Sequence, residues 1–126
     1  MKRLWISLGL LVVMLLACIG AAVTVNTFSE KTISYLEEAT QASRNNNFDK
    51  ARICCNTAAE VWVKNASILG ALLRHSEADV VETGLMKLIA YAETEDKDEF
   101  IALCAELIHD IRHVRDMELP LLRNIL

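Results

Sequence analysis

Leu4 to Val25 is an uninterrupted stretch without one charged side chain, and beyond it the chain changes character. At 1.5 Å of rise per residue, a helix of that length measures roughly 33 Å, enough to cross a hydrocarbon core of about 30 Å. From Thr27 onward, apolar residues recur at helical spacing between polar ones. Thr27 to Asn45 predicts a first helix that can continue directly from the apolar stretch. Phe28, Ile33, Leu36 and Ala39 form its inner stripe, with Glu37, Glu38 and Arg44 outside. Asn45-Asn46-Asn47 ends it. Asparagine tolerates left-handed backbone and competes for backbone hydrogen bonds, so this triplet predicts a turn followed by an N-cap.

The second helix, Phe48 to Arg74, carries the cleanest seam. Ala51, Cys55, Ala58, Trp62, Ala66, Leu69 and Leu73 recur at alternating steps of four and three. Its first half is small and lets a neighbour come close, and Trp62 is the expected central plug. His75 ends this helix, and Ser76-Glu77-Ala78-Asp79 has the form of a capping box for the next. The third helix runs to Ala92 with Val81, Leu85, Leu88 and Ala92 inside. An acidic turn, Glu93 to Asp98, follows, with Asp96 as cap and Glu99 three residues on. The fourth helix puts Phe100, Leu103, Leu107, Ile111 and Val114 on its stripe, widened by Ile101, Cys104 and Ile108. Pro120 is expected to end it. The apolar tail, Leu121 to Leu126, is then expected to fold back onto the other helices. The fold class is therefore all-α. An N-terminal transmembrane helix (1–26) is followed by a small up-down bundle of about four helices (27–126), with antiparallel neighbours because the turns are short.

Composition agrees with helices: the 126 residues include one Pro and four Gly. The positive mean hydropathy comes from the apolar stretch. Past that stretch the chain has length for one small domain. Removing Lys2 and Arg3 from the 13 basic residues leaves 11 against 17 acidic, a formal charge of −6. An acidic domain without a basic run argues against binding nucleic acid or anionic headgroups.

The N-terminal stretch can be read in three ways. Lys2-Arg3 before an apolar run fits a cleaved signal, a lipoprotein signal or an uncleaved signal-anchor. For ordinary cleavage the run is long and lacks a clean small-x-small site. Leu15-Leu16-Ala17-Cys18 resembles a lipobox, making Cys18 a candidate for lipidation, yet Ile19 to Val25 continue apolar beyond it. The full run matches the bilayer thickness, which favours the uncleaved anchor. Lys2 and Arg3 flank one side closely and only Lys31 the other, so the N-terminus is expected in the cytoplasm and the helical domain outside. Gly20, Ala21 and Ala22 would permit close helix contact within the span.

Candidate chemistry is sparse. His109 and His113, four apart on one helix, can point the same way, and His75 lies at the same pole of an up-down bundle. The three are metal candidates against the plainer reading of solvated histidines. His109-Asp110-Ile111-Arg112-His113 differs from the zincin H-E-x-x-H by an Asp too short to place a base equally well. The four cysteines have no zinc-like spacing and read as small apolar residues. A Cys55–Cys104 bridge requires their helices to face each other outside the cytoplasm. The acidic turn lacks the Gly and alternating ligands of a calcium loop. Asn65-Ala66-Ser67 is a formal sequon set within a helix seam. No phosphate loop, nucleophile elbow or Ser/His/Asp pattern stands out, and no cofactor is expected.

Over nearly its full length the chain resembles a bacterial family of short single-span helical proteins, the domain of unknown function family four-three-six-three. The likeness is carried by Lys2-Arg3 and the span, Trp62, His75 with Glu77 and Asp79, Ile111-Arg112-His113-Val114, and the terminal Asn124-Ile125-Leu126. Many relatives have a longer aliphatic span and fewer cysteines. The resemblance implies no enzymatic activity and marks His75 and Asn124-Ile125-Leu126 for attention. The function expected is that of a non-catalytic interaction or accessory subunit at the cell envelope, partnered by another membrane or envelope protein. The alternative is a membrane- or lipid-anchored metal- or ligand-sensing domain using His75, His109 and His113.

Overall fold

A computed structural model describes the backbone of residues 1–68 and 75–125 and the side chains of residues 1–66 and 77–116. Among the described residues there are four helices and no strand: α1 (Lys2–Arg44), α2 (Phe48–Ile68), α3 (His75–Glu93) and α4 (Lys97–Ile125). The apolar stretch and the first amphipathic segment are one helix, unbroken from Val25 to Phe28. Thr24 and Thr27 return their hydroxyls to the carbonyls of Gly20 and Val23, at 2.8 and 2.7 Å.

The two turns described are built alike. After α1, Asn46 takes φ 58° and the Asn47 N–H donates back to the Ala42 carbonyl at 2.8 Å. Asn47 Oδ1 then accepts from the Lys50 N–H at 3.2 Å, opening α2. After α3, Glu95 takes φ 55°, the Asp96 N–H donates to the Tyr91 carbonyl at 3.1 Å, and Asp96 Oδ1 accepts from the Glu99 N–H at 3.4 Å. Each turn thus satisfies the last carbonyls of one helix and the first amides of the next.

Each helix packs on its chain neighbours, and α4 closes the ring on α1. No Cα of α1 lies within 8 Å of α3, nor one of α2 within 8 Å of α4, among the described residues. This is an up-down-up-down ring around one continuous core. Phe100, Leu36, Leu85, Leu88, Leu107, Ile111 and Trp62 are its largest fully buried side chains. Trp62 stands edge-on to Phe28 with ring centroids 5.4 Å apart, tying α2 to α1.

Two expectations at the end of α4 change. α4 does not end at Pro120. Its helix continues to Ile125. Proline removes one amide donor, but its fixed φ near −65° is itself a helical value, so the chain loses one bond without having to turn. The terminal segment is accordingly a continuation of α4 and not a strand of chain folded back. The described part of α2 runs to Ile68, and the expected continuation to Arg74 lies outside the described residues. Leu69 and Leu73 of the expected seam lie outside the described residues.

Candidate functional site

Along α1 the environment changes within one turn. Met1 to Gly20 are all exposed, Ala21 and Ala22 are half-buried, and Val25 is the first buried residue. The exposed part is long and apolar enough to cross a membrane, by length and composition. Trp5 and Cys18 both lie on it, exposed. From Val25 the same helix contributes Phe28, Ile33, Leu36, Ala39 and Ala42 to the core. The bundle therefore begins where the apolar surface ends, without a linker.

Trp62 is fully buried, and its indole N–H reaches the Ala78 carbonyl of α3 at 3.4 Å, a long bond. One side chain thus touches three helices in the half of the bundle nearest the apolar stretch, as a central plug should.

The candidate metal ligands are not gathered. His109 and His113 are both exposed on α4. His113 lines a small open groove of about 110 Å³ with Glu77, Val80, Val81, Asp110 and Val114. The backbone of His75 opens α3, and its side chain lies outside the described residues. Among the described residues no group of three or more His, Cys, Asp or Glu side chains is placed to hold a metal ion. Of the terminal residues singled out, Asn124 and Ile125 belong to the α4 backbone, their side chains outside the described residues, as is Leu126 altogether.

Cys54, Cys55 and Cys104 are buried free thiols. Burial pushes the Cys55 thiol far up. Cys104 rises by burial to about 11, with the Thr40 hydroxyl opposing in part. Both stay neutral at ordinary pH and are poor nucleophiles. Cys55 and Cys104 approach across the bundle, but their helices are diagonal and keep every Cα pair beyond 8 Å. A disulfide needs roughly 4.4–6.8 Å, so this packing excludes the bridge. The sequon asparagine is equally committed to structure: Asn65 donates from Nδ2 to the Val61 carbonyl at 2.7 Å, inside α2.

What sequence reasoning passed over is a polar seam between α1 and α4. Arg112 pairs with Glu37 at 3.6 Å and Arg115 pairs with Glu30. Lys97 Nζ donates to the Arg44 carbonyl at 3.2 Å. The signal was present as charges seven apart on α1 and three apart on α4, but it has meaning only once those helices are known to be neighbours. Beside this seam an open groove of about 610 Å³ is floored by Ile101, Ala105 and Ile108 and walled by Glu37, Glu38, Gln41 and Arg44. A second groove of about 520 Å³ lies between α1 and α2, where Val23 and Phe28 meet Lys31, Glu60 and Lys64. Neither groove encloses a nucleophile with a base.

The family described as a domain of unknown function (DUF4363) matches residues 21–125. The chain belongs to this family. The matched region opens at Ala21, where α1 begins to be covered, and closes at Ile125, the last residue of α4. The family unit is thus the bundle together with the last turn of the apolar stretch. No curated protein and no solved structure matches the chain.

Proposed function

We propose that this member of the family is a single-span membrane protein whose bundle stands on the outer face of the membrane. There it serves as a non-catalytic interaction or accessory subunit, with a membrane or envelope protein as partner. The observation that carries this reading is the continuity of α1. One helix passes from a fully exposed apolar surface at Met1–Gly20 into the core at Val25 without a break. Exposing that surface to water would cost far more than a small bundle's stability returns, whereas a bilayer accepts it. The basic pair Lys2-Arg3 favours a cytoplasmic N-terminus. Cys54, Cys55 and Cys104 are buried and His109 and His113 stand apart from other candidate ligands among the described residues, which favours binding through surfaces such as the α1–α4 groove.

Alkaline extraction of membranes holding the full chain should leave it in the pellet. Protease added from the outside should digest the bundle and spare the N-terminal residues. The intact mass of the extracted protein should include residues 1–17 and no attached lipid at Cys18. Chemical crosslinking in those membranes should return a heteromeric product. Release by alkali, or a bundle sheltered from outside protease, would overturn the placement, and crosslinks returning only the monomer would overturn the accessory role.

A further inference from the structure

We propose that the groove between α1 and α2 holds the headgroup phosphate of an anionic phospholipid from the outer leaflet. The proposal rests on the reading of α1 as a span. The groove has a volume of about 520 Å³, within the range of small-molecule sites. Val23 and Phe28 of α1 and Val61 of α2 give it an apolar side, and Lys31, Glu60 and Lys64 a charged one. Val23, Lys31, Glu60 and Lys64 are all exposed.

The height of this groove decides what it meets. Val23, 60% exposed, is the last exposed apolar residue of the span, and Lys31 follows two turns later on the same helix. Two turns rise roughly 11 Å, and the headgroup layer is about 5–7 Å deep on each side of the hydrocarbon. A helical side chain leans toward the N-terminus of its helix, which on α1 is toward the span. Lys31 can therefore place its ammonium among the headgroups while Val23 stays against acyl chains. A phospholipid offers both parts at this height, a phosphate for the lysines and the top of an acyl chain for Val23. A soluble phosphate offers only the first.

Charge selects the headgroup. The two ammonium groups and the Glu60 carboxylate leave one net positive charge along the groove, which one phosphodiester neutralises. Thr24 and Thr27 donate their hydroxyl protons to the carbonyls of Gly20 and Val23, and Asn65 donates from Nδ2 to that of Val61. The lysines are the cationic donors that remain for a phosphate. An ammonium carries three protons, so each can keep a partner within the protein while it donates to a ligand. The net negative charge of the bundle does not oppose this site. Its acidic turn, Glu93 to Asp98, joins α3 to α4 at the pole away from the span.

The test is nuclear magnetic resonance of the full chain in phosphatidylcholine nanodiscs, with phosphatidylglycerol or phosphatidylethanolamine added in steps. Amide signals of Thr27 to Lys31 and Glu60 to Asn65 should shift with phosphatidylglycerol and then level off. Phosphatidylethanolamine, which has no net charge, should move them little. Lys31→Gln and Lys64→Gln should each lower the preference for phosphatidylglycerol about five-fold, the worth of one lysine at an anionic surface. An unmoved Trp62 indole signal marks the bundle as intact in both variants. Lys50→Gln, at the far end of α2, should leave the preference unchanged. Shifts that Lys50→Gln weakens equally, or that grow without levelling, would be a response to surface charge at large and would overturn the site. Equal shifts with phosphatidylethanolamine would also overturn it. If inorganic phosphate moves the same signals in phosphatidylcholine nanodiscs, the groove serves a soluble anion and the lipid assignment fails. Amides of Leu8 to Val13, broadened by a lipid with a nitroxide near the end of its acyl chain, report the span independently. If they broaden while the groove signals do not follow phosphatidylglycerol, the proposal fails with the anchor intact. If they do not broaden, the anchor reading fails and takes this proposal with it.

Discussion

Between Met1 and Gly20 every residue of the N-terminal half of the chain's longest helix is exposed, while between Val25 and Ser43 nine residues of the same helix are buried. The two halves share backbone geometry and differ in what surrounds them. The first has apolar side chains on all sides and asks its surroundings only for an apolar thickness to match its length. The second alternates inner and outer positions and depends on the shape of α2 and α4. Substitutions in the first half should therefore be read through polarity, and in the second through volume.

The largest expected effect is in the bundle that the second half enters. Trp62→Ala removes the side chain that joins α2 to Phe28 of α1 and to Ala78 of α3. It should lower bundle stability by about 3–5 kcal/mol in urea unfolding followed by circular dichroism, and leave the fraction of protein in membranes unchanged. A cost near that of a surface substitution would mean that the core is not organised around this residue.

Leu11→Arg is the counterpart in the first half. Leu11 is 55% exposed with no bundle residue on it, so the bundle should unfold at the same urea concentration as before. A charge near the centre of a span costs about 2.5–3.5 kcal/mol of insertion, roughly a hundred-fold in the inserted fraction, read by alkaline extraction. An unchanged inserted fraction would show that this half is not in lipid.

A single methyl separates the apolar half from the bundle on a finer scale. A Cβ at Gly84 would run into the Leu107 side chain, while at Gly9 it would meet nothing within 4 Å. Gly84→Ala adds helix propensity of about 1 kcal/mol but overpacks the α3–α4 contact by about 1–3 kcal/mol, for a net loss of roughly 1 kcal/mol. Gly9→Ala should leave bundle stability unchanged within about 0.5 kcal/mol. Equal effects at the two sites would erase the distinction between a volume-sensitive bundle and a volume-tolerant apolar half.

Much of the bundle was legible because each helix reports its own buried face. Ala51, Cys55, Ala58 and Trp62, and Val81, Leu85, Leu88 and Ala92, are buried as their spacing requires. The turns were legible through Asn47 and Asp96, whose caps are local. Other features were hidden for physical reasons. Ser29, Thr32 and Ser43 are polar by type and yet wholly buried, and Thr32 tolerates this by donating to the Phe28 carbonyl at 2.8 Å within its own helix. Pro120 looked like a stop because it lacks an amide, but its fixed φ is a helical value and the helix runs on to Ile125. The pairs on α1 and α4 join residues 75 and 85 apart, Arg112 with Glu37 and Arg115 with Glu30, and become visible only once the ring is closed. The histidines were legible as a pair on one helix face, but spacing on one helix cannot say which residues of another will stand beside them.

The smallest effect lies where the two halves meet. Glu30 is the first charge past the apolar stretch, and it pairs with Arg115, whose side chain is 19% exposed. Were the junction held by charge, Glu30→Gln would cost well above 1 kcal/mol and shift the level of α4 on the span. The Glu30 side chain is 56% exposed, however, so water already solvates it and competes with the pair. Pairs of this kind are worth about 0.2–1 kcal/mol. The expected loss is therefore under about 1 kcal/mol in urea unfolding at low salt. It should shrink further in 1 M sodium chloride, where the screening length is about 3 Å. Packing from Val25 to Leu36 then sets where the apolar surface stops, and the charges only follow it. A loss above about 2 kcal/mol that persists in high salt would reverse that order and make the Glu30–Arg115 pair the element that fixes the boundary.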